Sequence, residues 1–181
     1  MELGTSGAGD TNTGYSNLAI VDVATGTAHP LANYAGSPSW SPDGRYIAFV
    51  DFDPEHFTAV SRIRPDGLGR RVLYQPPGSG SVQTDAVDWS PDGRRIAFVR
   101  RGHETSDVLV VGRKGGRVHR VTGRPATRGI FSGLAWSPSG RRLVFGAYDG
   151  KRDSLFTVSA SGGRQSRIQR GGIYPSWQPL P

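Results

Sequence analysis

The sequence predicts an all-β chain of repeated four-stranded antiparallel sheets. Three observations lead there. A tryptophan recurs at Trp40, Trp89, Trp136 and Trp177, a proline–glycine turn follows the first three, and each of those turns opens a short strand that is apolar on both faces. The tryptophans are 49, 47 and 41 residues apart. A period of about 40–50 residues is the range of a β-propeller, whose blades stack radially.

The turns come first. Ser41-Pro42-Asp43-Gly44, Ser90-Pro91-Asp92-Gly93 and Ser137-Pro138-Ser139-Gly140 occupy equivalent places in the repeat. Proline presets φ, aspartate or serine bonds locally, and glycine accepts positive φ. Each motif therefore joins two antiparallel strands in a tight hairpin. The second strands, Ile47–Val50, Ile96–Val99 and Leu143–Phe145, are apolar without alternation. A half-solvated antiparallel strand would alternate, so these have neighbours on both sides. Third strands follow at 58–63, 108–111 and 155–159, and fourth strands near 71–74, 118–122 and 165–168. The chain thus reads as one domain with complete blades at about 37–74, 83–122 and 130–168. A partial blade at 17–31 precedes them, another at 172–177 follows, and residues 1–16 read as a flexible lead-in.

Composition limits the chemistry. Glycine (26) and proline (13) are abundant, but they fall between apolar runs, as turns require. There is no cysteine, so neither disulfide nor thiolate chemistry is available. No stretch has the apolar length of a membrane span, and no signal-peptide pattern opens the chain. Residues 1–60 carry seven acids against one base, a net −6, while the remainder carries twenty-one bases against eight acids, a net +13. No nucleic-acid-binding signature accompanies the positive charge.

The segments around Trp40, Trp89 and Trp136, with the strand Leu18–Val23 and its turn, resemble the PD40 (WD40-like) repeat of TolB-type propellers. The resemblance implies a non-catalytic scaffold in an extracytoplasmic, envelope-associated setting. It also implies six blades, so this chain reads as part of a longer propeller. The alternative is a four-bladed ring closed by Gly172–Trp177 against the N-terminal strands.

In such a meander the Ser-Pro turns lie at one end of the blades and the variable loops at the other. Binding concentrates in variable loops. Candidate binding residues there are Arg100, Arg101, His103, Arg124, Arg128, Tyr148, Lys151 and Arg152, with Asp51, Asp53 and Glu55 on the preceding blade. The expected partner is a protein or peptide, acidic by preference, and open blade edges favour self-association. No cofactor or metal is expected. His29, His56, His103 and His119 are dispersed, and Asp51-Phe52-Asp53-Pro54-Glu55 lacks the glycine of a calcium loop. There is no Gly-x-Ser-x-Gly elbow. Asp85 and Asp88 are placed on an inner strand, bonding to backbone amides. The tryptophans, with Pro42, Gly44, Pro91, Gly93, Pro138 and Gly140, read as packing and turn residues. Competing roles are the propeller of a prolyl-oligopeptidase-type peptidase, a carbohydrate-acting propeller, and a polyanion binder.

Overall fold

A computed structural model describes residues 2–6, 17–53, 57–77, 83–102, 106–123, 128–148 and 150–177. Strands β1 (Glu2–Ser6), β2 (Asn17–Val21) and β3 (Ala28–Ala32) form one sheet in that order. Blade 1 contains β4 (Ala35–Trp40), β5 (Ile47–Asp53), β6 (Phe57–Ile63) and β7 (Arg71–Tyr74). Blade 2 contains β8 (Gln83–Trp89), β9 (Arg95–Arg101), β10 (Ser106–Gly112) and β11 (His119–Arg120). Blade 3 contains β12 (Arg128–Trp136), β13 (Arg142–Tyr148), β14 (Asp153–Ser159) and β15 (Ser166–Arg170). All pairings within sheets are antiparallel and sequential, and no described residue is helical. The architecture is an open, partial β-propeller.

The doubly apolar strands now have a physical reason. Side chains alternate across a strand, and here both sides are core. On β5, Ile47 and Phe49 face the first sheet with Leu18 and Ile20, while Ala48 and Val50 face blade 2. On β9, Ile96 and Phe98 turn toward blade 1, and Ala97 and Val99 toward blade 3. Phe49, Phe98 and Phe145 are each wholly buried, one per blade. The core is therefore a row of separate clusters between sheets, with no single centre.

The hairpins are built alike. Gly44 N–H donates to the Ser41 carbonyl at 2.9 Å, and Gly93 and Gly140 repeat this to Ser90 and Ser137 at 2.8 Å. The three glycines have φ of 68, 66 and 66°. Ser41 Oγ donates to Asp43 Oδ1 and accepts from Tyr46 N–H, and Asp43 Oδ1 also accepts from Arg45 N–H. The Ser41 hydroxyl and the Arg45 amide together hold the Asp43 carboxyl below its ordinary pKa. Asp92 makes the same contacts to Ser90 and Arg94. Burial pushes its carboxyl up, yet those contacts bring the pKa below the ordinary value. Ser139 keeps only the hydroxyl contact, to Ser137 at 3.2 Å.

Two features depart from the sequence reading. Glu2–Ser6, left outside the blades there, pairs along β2 as a second strand, so the first sheet has three strands instead of two. Gly172–Trp177, read as a first strand, joins no ladder among the described residues. Among the described residues, therefore, no four-bladed ring is closed. The segment still lies against β12, where Trp177 Nε1 donates to the Ala135 carbonyl at 3.1 Å.

Candidate functional site

The meander puts the β5–β6, β9–β10 and β13–β14 connections at one end of the blades, with the inter-blade loops. This is the variable-loop end. Arg100 and Arg101 close β9 there. Arg100 Nη2 donates to Asp107 Oδ2 at 2.8 Å, and Asp107 is almost fully buried. Asp107 Oδ1 also accepts from Thr122 Oγ1 at 3.0 Å and lies 3.5 Å from Arg120 Nη1. Burial works against the Arg100 charge, but the Asp107 carboxylate raises its pKa nonetheless. Arg101 Nη2 donates to Asp85 Oδ2 at 2.8 Å. Both arginines therefore serve the fold while presenting about a third of their side chains to solvent.

Tyr148 ends β13 opposite Asp153, and exposed Lys151 and Arg152 follow in the connection to β14. Arg128 opens β12 by its backbone. His103 and Arg124 lie outside the described residues, as do Glu55 and His56. Topology alone brings Arg100, Arg101 and Arg128 to the same end as Lys151 and Arg152.

Asp51 is not part of an open acidic loop. It is buried, and Arg70 grips both its oxygens through Nε and Nη2. The pair lines a cleft of ≈ 660 Å³ between the first sheet and blade 1, with Leu31, Tyr34, Val72 and Gln75. Sequence reasoning missed this cleft, since its walls come from β3, β5, β6 and β7 and no local motif marks it. His29 and His119 are exposed on outer strands. Among the described residues no group of three or more His, Asp or Glu could hold a metal ion.

The inner strands carry the other polar feature. Asp88 Oδ2 accepts the Trp136 backbone N–H at 2.9 Å, and Asp88 Oδ1 accepts from Ser39 Oγ at 3.2 Å. Ser39 Oγ in turn accepts the Trp89 N–H at 3.1 Å. Trp136 Nε1 donates to the Asp88 carbonyl at 3.2 Å. One carboxylate thus ties the inner strands of three blades. Burial pushes its pKa up to about 6, against the opposing pull of Trp136 N–H, Ser39 Oγ and Trp89 N–H.

The TolB beta propeller domain (PD40) model matches residues 10–180. The chain belongs to the PD40 family. Its fold is similar to that of putative TolB from Agrobacterium tumefaciens, with 21% identity, a TM-score of 0.71, and coverage of 92% of this chain and 63% of that one. TolB from Acinetobacter baumannii is similar at 16% identity and TM-score 0.71, covering 92% and 41%. An oligogalacturonate lyase in complex with manganese is similar at 21% identity and TM-score 0.64, covering 86% and 42%. At these identities the likeness is one of fold. This PD40 chain spans less than two thirds of the length of each of these relatives. No curated protein sequence matches it. No helix among the described residues is long and apolar enough to cross a membrane.

Proposed function

We propose that this PD40 domain is a non-catalytic scaffold that binds a protein or peptide segment through its variable-loop end, with a preference for acidic segments. The observation that carries the reading is the convergence of Arg100, Arg101, Lys151 and Arg152 on one end of blades 2 and 3, where the β9 arginines stay partly exposed and Lys151 and Arg152 are exposed. Electrostatic complementarity of this kind speeds encounter and selects partners. Self-association through open blade edges belongs to the same reading.

The test is titration of a fluorescent Asp/Glu-rich peptide against the whole chain. Lys151→Ala with Arg152→Ala should weaken binding about tenfold or more and flatten its salt dependence. Unchanged affinity would remove the loop-end proposal. Arg100 is a poor choice for this test, because its loss would leave buried Asp107 short of a partner. A carbohydrate-acting role is the second reading, favoured by the fold likeness to the lyase. Saturable oligosaccharide binding would select it.

A further inference from the structure

The variable-loop reading leaves a block of unopposed positive charge unused. It lies at the opposite end of the blades, on the Ser-Pro turns and the turns from third to fourth strand. On blades 2 and 3 these are residues 90–95, 112–118, 137–142 and 159–165, which hold eight bases and one acid, Asp92. Blade 1 differs. Gly67, Gly115 and Gly162 close equivalent turns by donating to the carbonyl three residues back. Asp66 precedes the first of them, whereas Lys114 and Ser161 precede the others.

These turns form one surface. Arg113 N–H donates to the Arg94 carbonyl, and Ala160 N–H to the Arg141 carbonyl, each at 2.9 Å, which joins the two turns of each blade. Between blades 2 and 3, Arg95 Nη2 donates to the Gly140 carbonyl at 3.1 Å and Gly163 N–H to the Val121 carbonyl at 3.1 Å. Blade 2 packs against a sheet on each side, so its turns lie at no open edge of the fold. Arg94, Arg113, Lys114, Arg117, Arg141 and Arg164 are all exposed. Among the described residues no ion pair or side-chain hydrogen bond engages any of these six. Clustered like charges repel one another, and none of the six offsets that through a contact within the fold.

The same end presents an apolar tip. Leu68 is 60% exposed between Gly67 and Gly69, whose φ are 79 and 68°. Its N–H donates to Asp66 Oδ1 at 2.9 Å, and its carbonyl accepts from Arg64 N–H at 3.0 Å. The turn is thus fixed by its backbone while the leucine side chain stays outside the core.

We infer that this end docks on an anionic phospholipid bilayer, with the arginines and Lys114 on the phosphate headgroups and Leu68 at the acyl boundary. The inference goes beyond the variable-loop reading and uses the other end of the blades. Each Lys or Arg near such a surface strengthens attachment about fivefold. An apolar side chain at the boundary adds affinity that salt does not screen. Guanidinium forks also match phosphate oxygens bidentately. A nucleic acid would meet the same charge, but single strands bind by stacking bases on aromatic side chains. Among the described residues the exposed aromatics are Tyr34 and Tyr174, and neither belongs to these turns.

Co-sedimentation of the whole chain with vesicles tests this. The protein should pellet with an equal mixture of phosphatidylglycerol and phosphatidylcholine and stay in solution with phosphatidylcholine alone. Raising salt from about 0.1 to about 0.5 M should weaken attachment tenfold or more. Arg113→Ala, Lys114→Ala and Arg117→Ala together should lower the partition coefficient about a hundredfold. Leu68→Ser should lower what survives at high salt by about threefold. Lys151→Ala with Arg152→Ala should pellet like the parent while losing acidic-peptide binding, so the two readings fail separately. Attachment that survives the triple substitution overturns the inference. Retention by duplex DNA without pelleting by vesicles, at equal phosphate concentration, overturns it too.

Discussion

Asp88 is the residue on which three blades converge, and its pKa makes it a pH-dependent one. The folded value of about 6 lies above the ordinary 3.8. The folded state then binds the proton more tightly than the unfolded chain. Its stabilising effect is complete below about pH 4 and is lost as pH rises through 6. Asp88→Asn keeps a carbonyl for the Trp136 N–H and removes the charge. The variant should be more stable than the parent above pH 6, by roughly 1–3 kcal/mol, with the difference shrinking toward pH 4. Urea unfolding across that range measures it, and parallel curves at all pH values would contradict the assignment. The inner strands bulge around Ala86 and Gly133, where the ladder registers shift, and these residues make a second test at this scale. Ala86 holds positive φ without being glycine, so Ala86→Gly should stabilise by about 0.5–1 kcal/mol, strain relief outweighing the added chain entropy. Gly133→Ala should do the opposite by about 1–3 kcal/mol, because a Cβ there would meet Tyr174 Cα at 2.6 Å and Pro175 Cδ at 2.7 Å. Thermal melting of the two variants beside the parent reads both signs.

At the scale of the element, the hairpin turn is the repeating device. Two copies use a carboxylate that accepts both a serine hydroxyl and a following amide, and the third uses Ser139. Ser139→Asp should restore the missing acceptor for the Arg141 N–H and add about 0.5–1 kcal/mol. The carboxyls of Asp43 and Asp92 are held below their ordinary pKa. The same sign applies to a carboxylate introduced in the third turn. Its contribution is present above about pH 4 and is lost as pH falls through the depressed folded value. A gain in thermal midpoint at pH 7 that disappears near pH 3 is the expected result. The motif was legible because its chemistry is local: four consecutive residues contain proline, acceptor and glycine. The inner-strand bulge was not legible, since Ser37, Ala86 and Gly133 share no side-chain property and only the ladder geometry reveals them.

For the whole molecule, the separate inter-sheet clusters make stability a sum of neighbour contacts. Trp136 is buried in the cluster between blades 2 and 3, its indole N–H is bonded to blade 2, and the Arg95 guanidinium lies 4.6 Å over its ring. Trp136→Ala should cost about 3–5 kcal/mol. Loss should fall first on blade 3, read by faster amide exchange in β13 and β14 than in β5. Uniform exchange throughout would argue for a single cooperative core instead.

Repeat period, turn chemistry and doubly apolar strands determined the propeller and its three full blades from the sequence alone, because each depends on contacts within or between adjacent repeats. Tertiary structure decided the rest. Pairing of Glu2–Ser6 along β2, the Arg70 grip on Asp51, and the Arg100–Asp107–Arg120 cluster join residues whose order along the chain says nothing of their separation in space. The same holds for Gly172–Trp177, which has an inner strand's tryptophan but joins no ladder among the described residues. A strand's backbone hydrogen bonds need a partner edge, and only the arrangement of sheets shows which edges are left open.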